Sequence, residues 1–195
     1  MSIDTIELED HELEVVYSVM KNNNMAIDKS IRKFSLEDLN KIGIYRESYS
    51  IHELRANGFD LTGVVSSFDK VAKDAETLLS VDAPFATGIK KWQLPIDVEG
   101  FRIITTEFPP NTTVLPHIHS MLDKESKSGG FRMVIEGSIT FEEKKYLPGD
   151  WFFIPNGVPY SFTTDPDVKT KENYWYGHNL AGKHTRISSP QSQNP

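Results

Sequence analysis

The sequence predicts a mainly β domain, a sandwich or barrel, behind a helical N-terminal extension. Three observations predict it. Over residues 83–180, short runs rich in Val, Ile, Phe, Tyr and Thr ("FRIITTEF", "FRMVIEGSITF", "DWFFIP", "PYSFTT", "NYWYGHN") are separated by Pro, Gly and Asn, the pattern of several short strands joined by turns. Over residues 1–82, apolar residues recur at helical spacing. Within the β half, His117 and His119 alternate with Ile118, so a strand there sets both imidazoles on one face.

The extension reads as three helices. "LEDHELEVVYSVMKNN" places Leu13, Val16, Val19 and Met20 on one stripe, with acidic residues early, where the helix dipole favours them. "SLEDLNKI" offers Ser35 as N-cap with Asp38 three residues on, close to a capping box. "SSFDKVAKDAETLLS" carries Phe68, Val71, Ala72, Ala75, Leu78 and Leu79, a third amphipathic helix. Lys29, Arg32 and Lys33 form a basic cluster, expected on a solvated helix face. The polar, Pro-containing end "SSPQSQNP" is expected to be flexible. The expected division is a helical extension over 1–82, a β-barrel over 83–182 and a tail over 183–195.

A formal net charge of −7 works against binding to nucleic-acid phosphates or anionic membranes. The chain has no cysteine, which removes disulfides, thiolate nucleophiles and zinc–cysteine sites. Residues 1–14, "MSIDTIELEDHELE", lack the basic start and apolar core of a signal peptide. No run approaches the roughly 18 apolar residues of a membrane span. A cytoplasmic location is the expectation.

Two stretches resemble the motifs of the cupin superfamily, small jelly-roll β-barrels. The first motif reads G, five residues, H-x-H, three or four residues, E, six residues, G. Here "NTTVLPHIH" gives Asn111 at the first Gly, then His117 and His119 in register, and "FRMVIEG" gives the closing Gly137. The glutamate slot holds Gly130, and the nearest acids, Asp123 and Glu125, fall some residues early. The second motif reads G, five residues, P-x-G, two residues, H, three residues, N. "GDWFFIPNGVPYSFTT" gives Gly149, Pro155 and Gly157, with Tyr160 in the histidine slot and Thr164 in the Asn slot. The resemblance covers about residues 92–180. It implies a cupin-type jelly roll and, as cupins often pair through their sheets, a homodimer.

Two histidines alone hold a divalent metal weakly, and a catalytic site usually has three protein ligands. His178 is the candidate third ligand: a hairpin centred near Val168 would set position 160 opposite about 177. Glu125 is the rival, with Asp123 beside it. Within the superfamily, thiol dioxygenases and some diketone-cleaving oxygenases hold iron(II) on three histidines without a carboxylate, so the resemblance implies Fe(II) here. Strand parity from Gly130 turns Arg132 and Val134 inward. A buried Arg132 needs an anionic partner, either a substrate group or an internal Glu or Asp. Tyr160, facing in, orients substrate or transfers a proton, or simply fills the barrel. Arg102 is expected at the surface, as are His11, His52 and His184. Trp92, Trp151, Phe152 and Phe153 are expected in the core.

The leading expectation is a mononuclear non-haem iron dioxygenase acting on a small anionic, phenolic or diketone substrate. His117, His119 and His178 would hold the metal, with Arg132 and Tyr160 on the substrate. A metal-dependent lyase, isomerase or cyclase and a non-catalytic, small-molecule-binding or regulatory barrel are the alternatives.

Overall fold

Apolar spacing in the N-terminal segment builds small cores of its own. The computed structural model describes all residues except 1–4, 9, 47, 50, 61, 82, 84, 97, 99–100, 120–128, 156–157, 178–186 and 191–195. Strand β1 (Thr5–Glu7) pairs antiparallel with β2 (Lys33–Ser35). Helix α1 (Asp10–Asn22) turns Leu13 and Val16 onto Ile6, Leu8, Leu39 and Ile44, with Val19 and Met20 at the margin. Helix α2 (Leu36–Lys41) starts as its sequence demands: the Asp38 amide donates to Ser35 Oγ at 3.0 Å. Strand β3 (Tyr45–Arg46), α3 (Ile51–Ala56) and α4 (Lys70–Leu78) follow. Ala75 and Leu79 pack with Tyr49, Leu54, Phe59, Val81 and Trp92 in a second cluster.

Two expectations for this segment are corrected. Phe68 lies outside α4 and is 88% exposed, because the N-cap residue is Asp69, whose carboxylate accepts from the Ser66 amide and hydroxyl and turns the chain there. Lys29 lies on a turn, Arg32 just before β2 and Lys33 at the start of β2, none of them on a helix, and Arg32 pairs with Asp10 at 2.7 Å.

The β half comprises β4 (Lys90–Gln93), β5 (Phe101–Phe108), β6 (Thr113–His119), β7 (Gly129–Glu136), β8 (Ile139–Phe141), β9 (Lys144–Tyr146), β10 (Trp151–Pro155), β11 (Tyr160–Thr164) and β12 (Thr170–Gly177). One sheet runs β10-β7-β12-β5-β4; the other contains β6-β11-β8-β9. Numbering β5 to β12 as first to eighth, the sheets read 6-3-8-1 and 2-7-4-5, which is jelly-roll topology. The turns at the motif positions need left-handed backbone. Gly137 has φ 72°, and a Cβ there would collide with Thr170. Asn111, at the first Gly position, has φ 57°, a conformation Asn tolerates better than most residues.

Between the sheets lie Phe108, Val114, Val134, Ile139, Phe152, Ile154, Tyr160 and Phe162. Trp92 and Phe152 are buried as expected, but Trp151 and Phe153 are 57% and 50% exposed. The alternation of β10 explains the difference: Phe152 and Ile154 take its inner face, so their neighbours point outward.

The extension also joins the barrel. Within the expected tail, Ile187–Pro190 forms β13, which pairs with β6 on one side and β3 on the other. Just after β3 the extension also meets the opposite sheet, where Gln93 Nε2 donates to the Tyr49 carbonyl at 3.2 Å and Gln93 Oε1 accepts from the Tyr49 amide. Arg102, expected at the surface, is 1% exposed. Its guanidinium donates to the carbonyls of Tyr49, Val98 and Phe101, so local backbone oxygens satisfy the buried cation. Among the described residues no helix is long and apolar enough to cross a membrane.

Candidate active site

The histidine pair sits where strand parity puts it. His117 and His119 are both buried on β6, and Tyr160, the Cα partner of His117 across β6–β11, faces inward beside them. The Tyr160 hydroxyl lies 2.8 Å from His117 Nε2 and 2.6 Å from His119 Nε2. His117 is held on three further sides: its Nδ1 donates to the Leu115 carbonyl at 2.8 Å, Phe85 stacks on its ring at 4.1 Å, and His119 meets it edge-on at 5.0 Å.

These contacts assign the protons. A carbonyl only accepts, so His117 Nδ1 carries a hydrogen and, in the neutral ring, Nε2 presents its lone pair. The Tyr160 hydroxyl donates to that lone pair. Its single proton is then used, so His119 Nε2–H and the Arg132 guanidinium both donate to the Tyr160 oxygen, the latter at 2.6 Å.

Arg132 is buried as parity requires, and its anionic partner is internal. Glu172 on β12 accepts from Arg132 NH1 in a short, fully buried ion pair. Burial works against the Arg132 charge, but Glu172 and the phenol oxygens of Tyr160 and Tyr174 hold its pKa above the ordinary arginine value. Burial pushes the Glu172 carboxyl above the usual glutamate range, opposed by Arg132 and Lys91. Aromatic faces complete the enclosure: the guanidinium carbon stands 4.2 Å from the Tyr174 ring centre, 5.3 Å from that of Tyr160 and 5.4 Å from that of Phe162.

Of the expected site residues, the fold brings His117, His119, Tyr160 and Arg132 together. His178, Asp123 and Glu125 lie outside the described residues. The hairpin expected to bring His178 beside Tyr160 is not formed. Strand β11 lies between β6 and β8, whereas β12 lies between β5 and β7 in the opposite sheet. A jelly roll sends most consecutive strands to opposite sheets, β8 and β9 excepted, so sequence adjacency does not give the pairing of β11 and β12. Thr164, in the Asn slot, is structural: its hydroxyl accepts from the Thr112 amide at 3.0 Å.

The sequence reading missed Glu172, Tyr174 and Lys91. Glu172 and Tyr174 alternate with outward residues along "TKENYWYG", in phase with buried Thr170, so period-2 parity would have found them. Lys91 is harder to see. Strand β4 is covered on both faces, burying Lys91, Trp92 and Gln93 in succession, and the alternation vanishes. Lys91 Nζ stands 5.6 Å from the Phe85 ring centre and 5.4 Å from that of Tyr174.

The donor set can be tested against a metal. Two imidazole Nε2 atoms converge on one oxygen, and the Nδ1–H of His117 bonded to a backbone carbonyl is the outer-shell contact that fixes a ligating tautomer. Among the described residues no group of three His, Asp or Glu is placed to hold a metal ion, and the side-chain oxygen on which the two imidazoles converge is that of Tyr160. The residues fit a two-histidine site with Tyr160 adjoining it.

No family model and no curated protein sequence matches the chain. Among solved structures, the polyketide cyclase RemF from Streptomyces resistomycificus aligns with TM-score 0.48 and 19% identity, over 68% of this chain and 87% of that one. A cupin-2 domain from Rhodospirillum rubrum aligns with TM-score 0.40 and 11% identity, over 57% and 71%. KdgF from Halomonas sp. aligns with TM-score 0.38 and 14% identity, over 47% and 81%. With strand order 6-3-8-1 and 2-7-4-5, and left-handed turns at the motif positions Asn111, Gly137 and Gly149, the chain has a cupin-type jelly-roll fold.

Proposed function

We propose that the chain is a metal-dependent enzyme that carries out proton-transfer chemistry on a small molecule inside the barrel, a lyase, isomerase or cyclase. One observation carries the reading: the Tyr160 hydroxyl is held by two imidazoles and a buried guanidinium. Arg132 donates to the Tyr160 oxygen, and Glu172 keeps Arg132 aimed at it. Tyr160 gives up its proton to the substrate at Oη and takes one back there. Phe85, Phe162 and Tyr174 exclude water, which strengthens these interactions. His117 and His119 would hold the metal through Nε2, in place of their hydrogen bonds to Tyr160, with the hydrogen of each ring on Nδ1. A divalent ion bound there would supply a Lewis acid for a substrate oxygen; Fe(II) is the ion that the motif resemblance points to.

The iron-dioxygenase alternative uses the same histidines, but the hydrogen bonding of Tyr160 favours acid–base work. The test is metal analysis of untagged protein, followed by turnover of a panel of small carboxylates, phenols and diketones in an oxygen electrode. Near-stoichiometric metal lost in His117→Ala and His119→Ala, with turnover that consumes no oxygen and is lost in Tyr160→Phe, supports the proposal. Oxygen uptake with each turnover would move the chain to the oxygenases. Absence of metal after reconstitution would overturn the metal reading.

A further inference from the structure

Below Arg132, the barrel floor encloses a second polar site. Across one sheet, Lys91, Thr106, Glu172 and Val134 form a lateral row of Cα partners on β4, β5, β12 and β7, with Arg132 two residues from Val134 on the same face. Arg132, Glu172, Thr106 and Lys91 line a cavity of about 10 Å³ whose other walls include Phe85 and Phe162. Among the described residues, three buried polar atoms here have no hydrogen-bond partner: Thr106 Oγ1, Arg132 Nε and Glu172 Oε2. Leaving such groups unpaired away from water is costly, and here all three belong to residues around one small space.

We propose that this cavity binds a single neutral oxygen-bearing ligand, a resident water, held by Arg132 Nε–H, Glu172 Oε2 and Thr106 Oγ1. The size matches: about 10 Å³ is roughly the least volume that admits one water, and two to four polar partners are what such a water needs. The chemistry excludes ions. A cation would meet the Arg132 guanidinium and the Lys91 ammonium, and an anion would meet the free oxygen of Glu172. Only a group that both donates and accepts matches one fixed donor, one fixed acceptor and one hydroxyl that does either. By engaging Glu172 Oε2 and Arg132 Nε, the water locks the ion pair from below, so that the NH2 of Arg132 stays on Tyr160 above. The site does not depend on a metal at the histidines.

The test is Thr106→Val, which removes the hydroxyl and keeps the shape. With a bound water, the variant strips it of a partner, and the denaturation midpoint falls. In a dry cavity the same change removes an unsatisfied hydroxyl, and the midpoint rises. A crystal structure of the unaltered protein at a resolution that orders internal waters gives the second readout. One oxygen within hydrogen-bond distance of all three atoms is the expected result. A midpoint that rises or stays unchanged, or a cavity without ordered density, overturns the proposal.

Discussion

The ring of Tyr174 occupies the space that a side chain at position 130 would need: a Cβ on Gly130 would run into its Cε2. The two residues lie on adjacent strands β12 and β7, where Gly130 pairs with Tyr176 and Arg132 with Tyr174. Position 130 is the slot in which the motif carries a glutamate. Here the barrel's inward carboxylate comes instead from Glu172, one strand over.

Gly130→Glu is therefore expected not to restore a carboxylate at the histidines. Overpacking against Tyr174 should cost about 1–3 kcal/mol or more, read from chemical denaturation. Adding Tyr174→Ala to this variant should recover part of the loss, because the ring is the obstruction. An isolated Gly130→Glu variant as stable as the parent would contradict the arrangement.

The Arg132–Glu172 pair predicts strong coupling. Glu172→Leu or Arg132→Met alone leaves a buried charge without its partner and should cost about 3–5 kcal/mol. The double variant Arg132→Met with Glu172→Leu should be far less destabilised than the sum of the singles. A double-mutant cycle of denaturation midpoints checks this, and additive losses would refute a direct buried pair.

Tyr160→Phe removes an oxygen that serves three hydrogen bonds. Buried donors on His119 and Arg132 lose their acceptor, so stability should drop by about 1–3 kcal/mol. If the proposed chemistry holds, turnover should fall about 10²–10⁴-fold while metal content, read by elemental analysis, is retained. Loss of metal together with activity would instead make Tyr160 a ligand.

A pH effect is expected at the β11–β12 turn. The Ser138 hydroxyl and the Asp167 amide and, more weakly, the Val168 amide and Lys145 hold the Asp165 carboxyl below the usual aspartate range, against the opposing effect of burial. A depressed pKa means that the folded chain binds fewer protons than the unfolded chain between the two values. This contribution to stability is therefore present above the unfolded pKa and lost as pH falls through the folded one. Denaturation midpoints of the parent should decline across that acid range more steeply than those of Asp165→Asn; parallel profiles would refute the assignment.

The link between Tyr49 and Gln93 predicts a local effect. Gln93→Ala frees both backbone groups of Tyr49 from the Gln93 side chain. Amide exchange at Tyr49 should accelerate, while exchange in β7 and β12 stays near the parent's. Acceleration spread evenly through the barrel would mean that this link supports the whole fold rather than one attachment.

Local pattern determined much of this protein. Alternation in "FRMVIEG" turned Arg132 and Val134 inward, the H-x-H spacing set two imidazoles on one face, and Ser35 with Asp38 started α2 as a capping signal should. Each of these rests on interactions within a few residues, which a sequence displays directly. Only the tertiary structure decided which residues meet across the barrel. It placed β12 in the sheet opposite β11, which removed the expected hairpin. It supplied Glu172 as the partner of Arg132 and buried Arg102 under the carbonyl of Tyr49. It also left Trp151 and Phe153 on an outer face. These outcomes depend on strand order and on what covers each sheet face, and a jelly roll sets both through contacts between residues far apart in the chain.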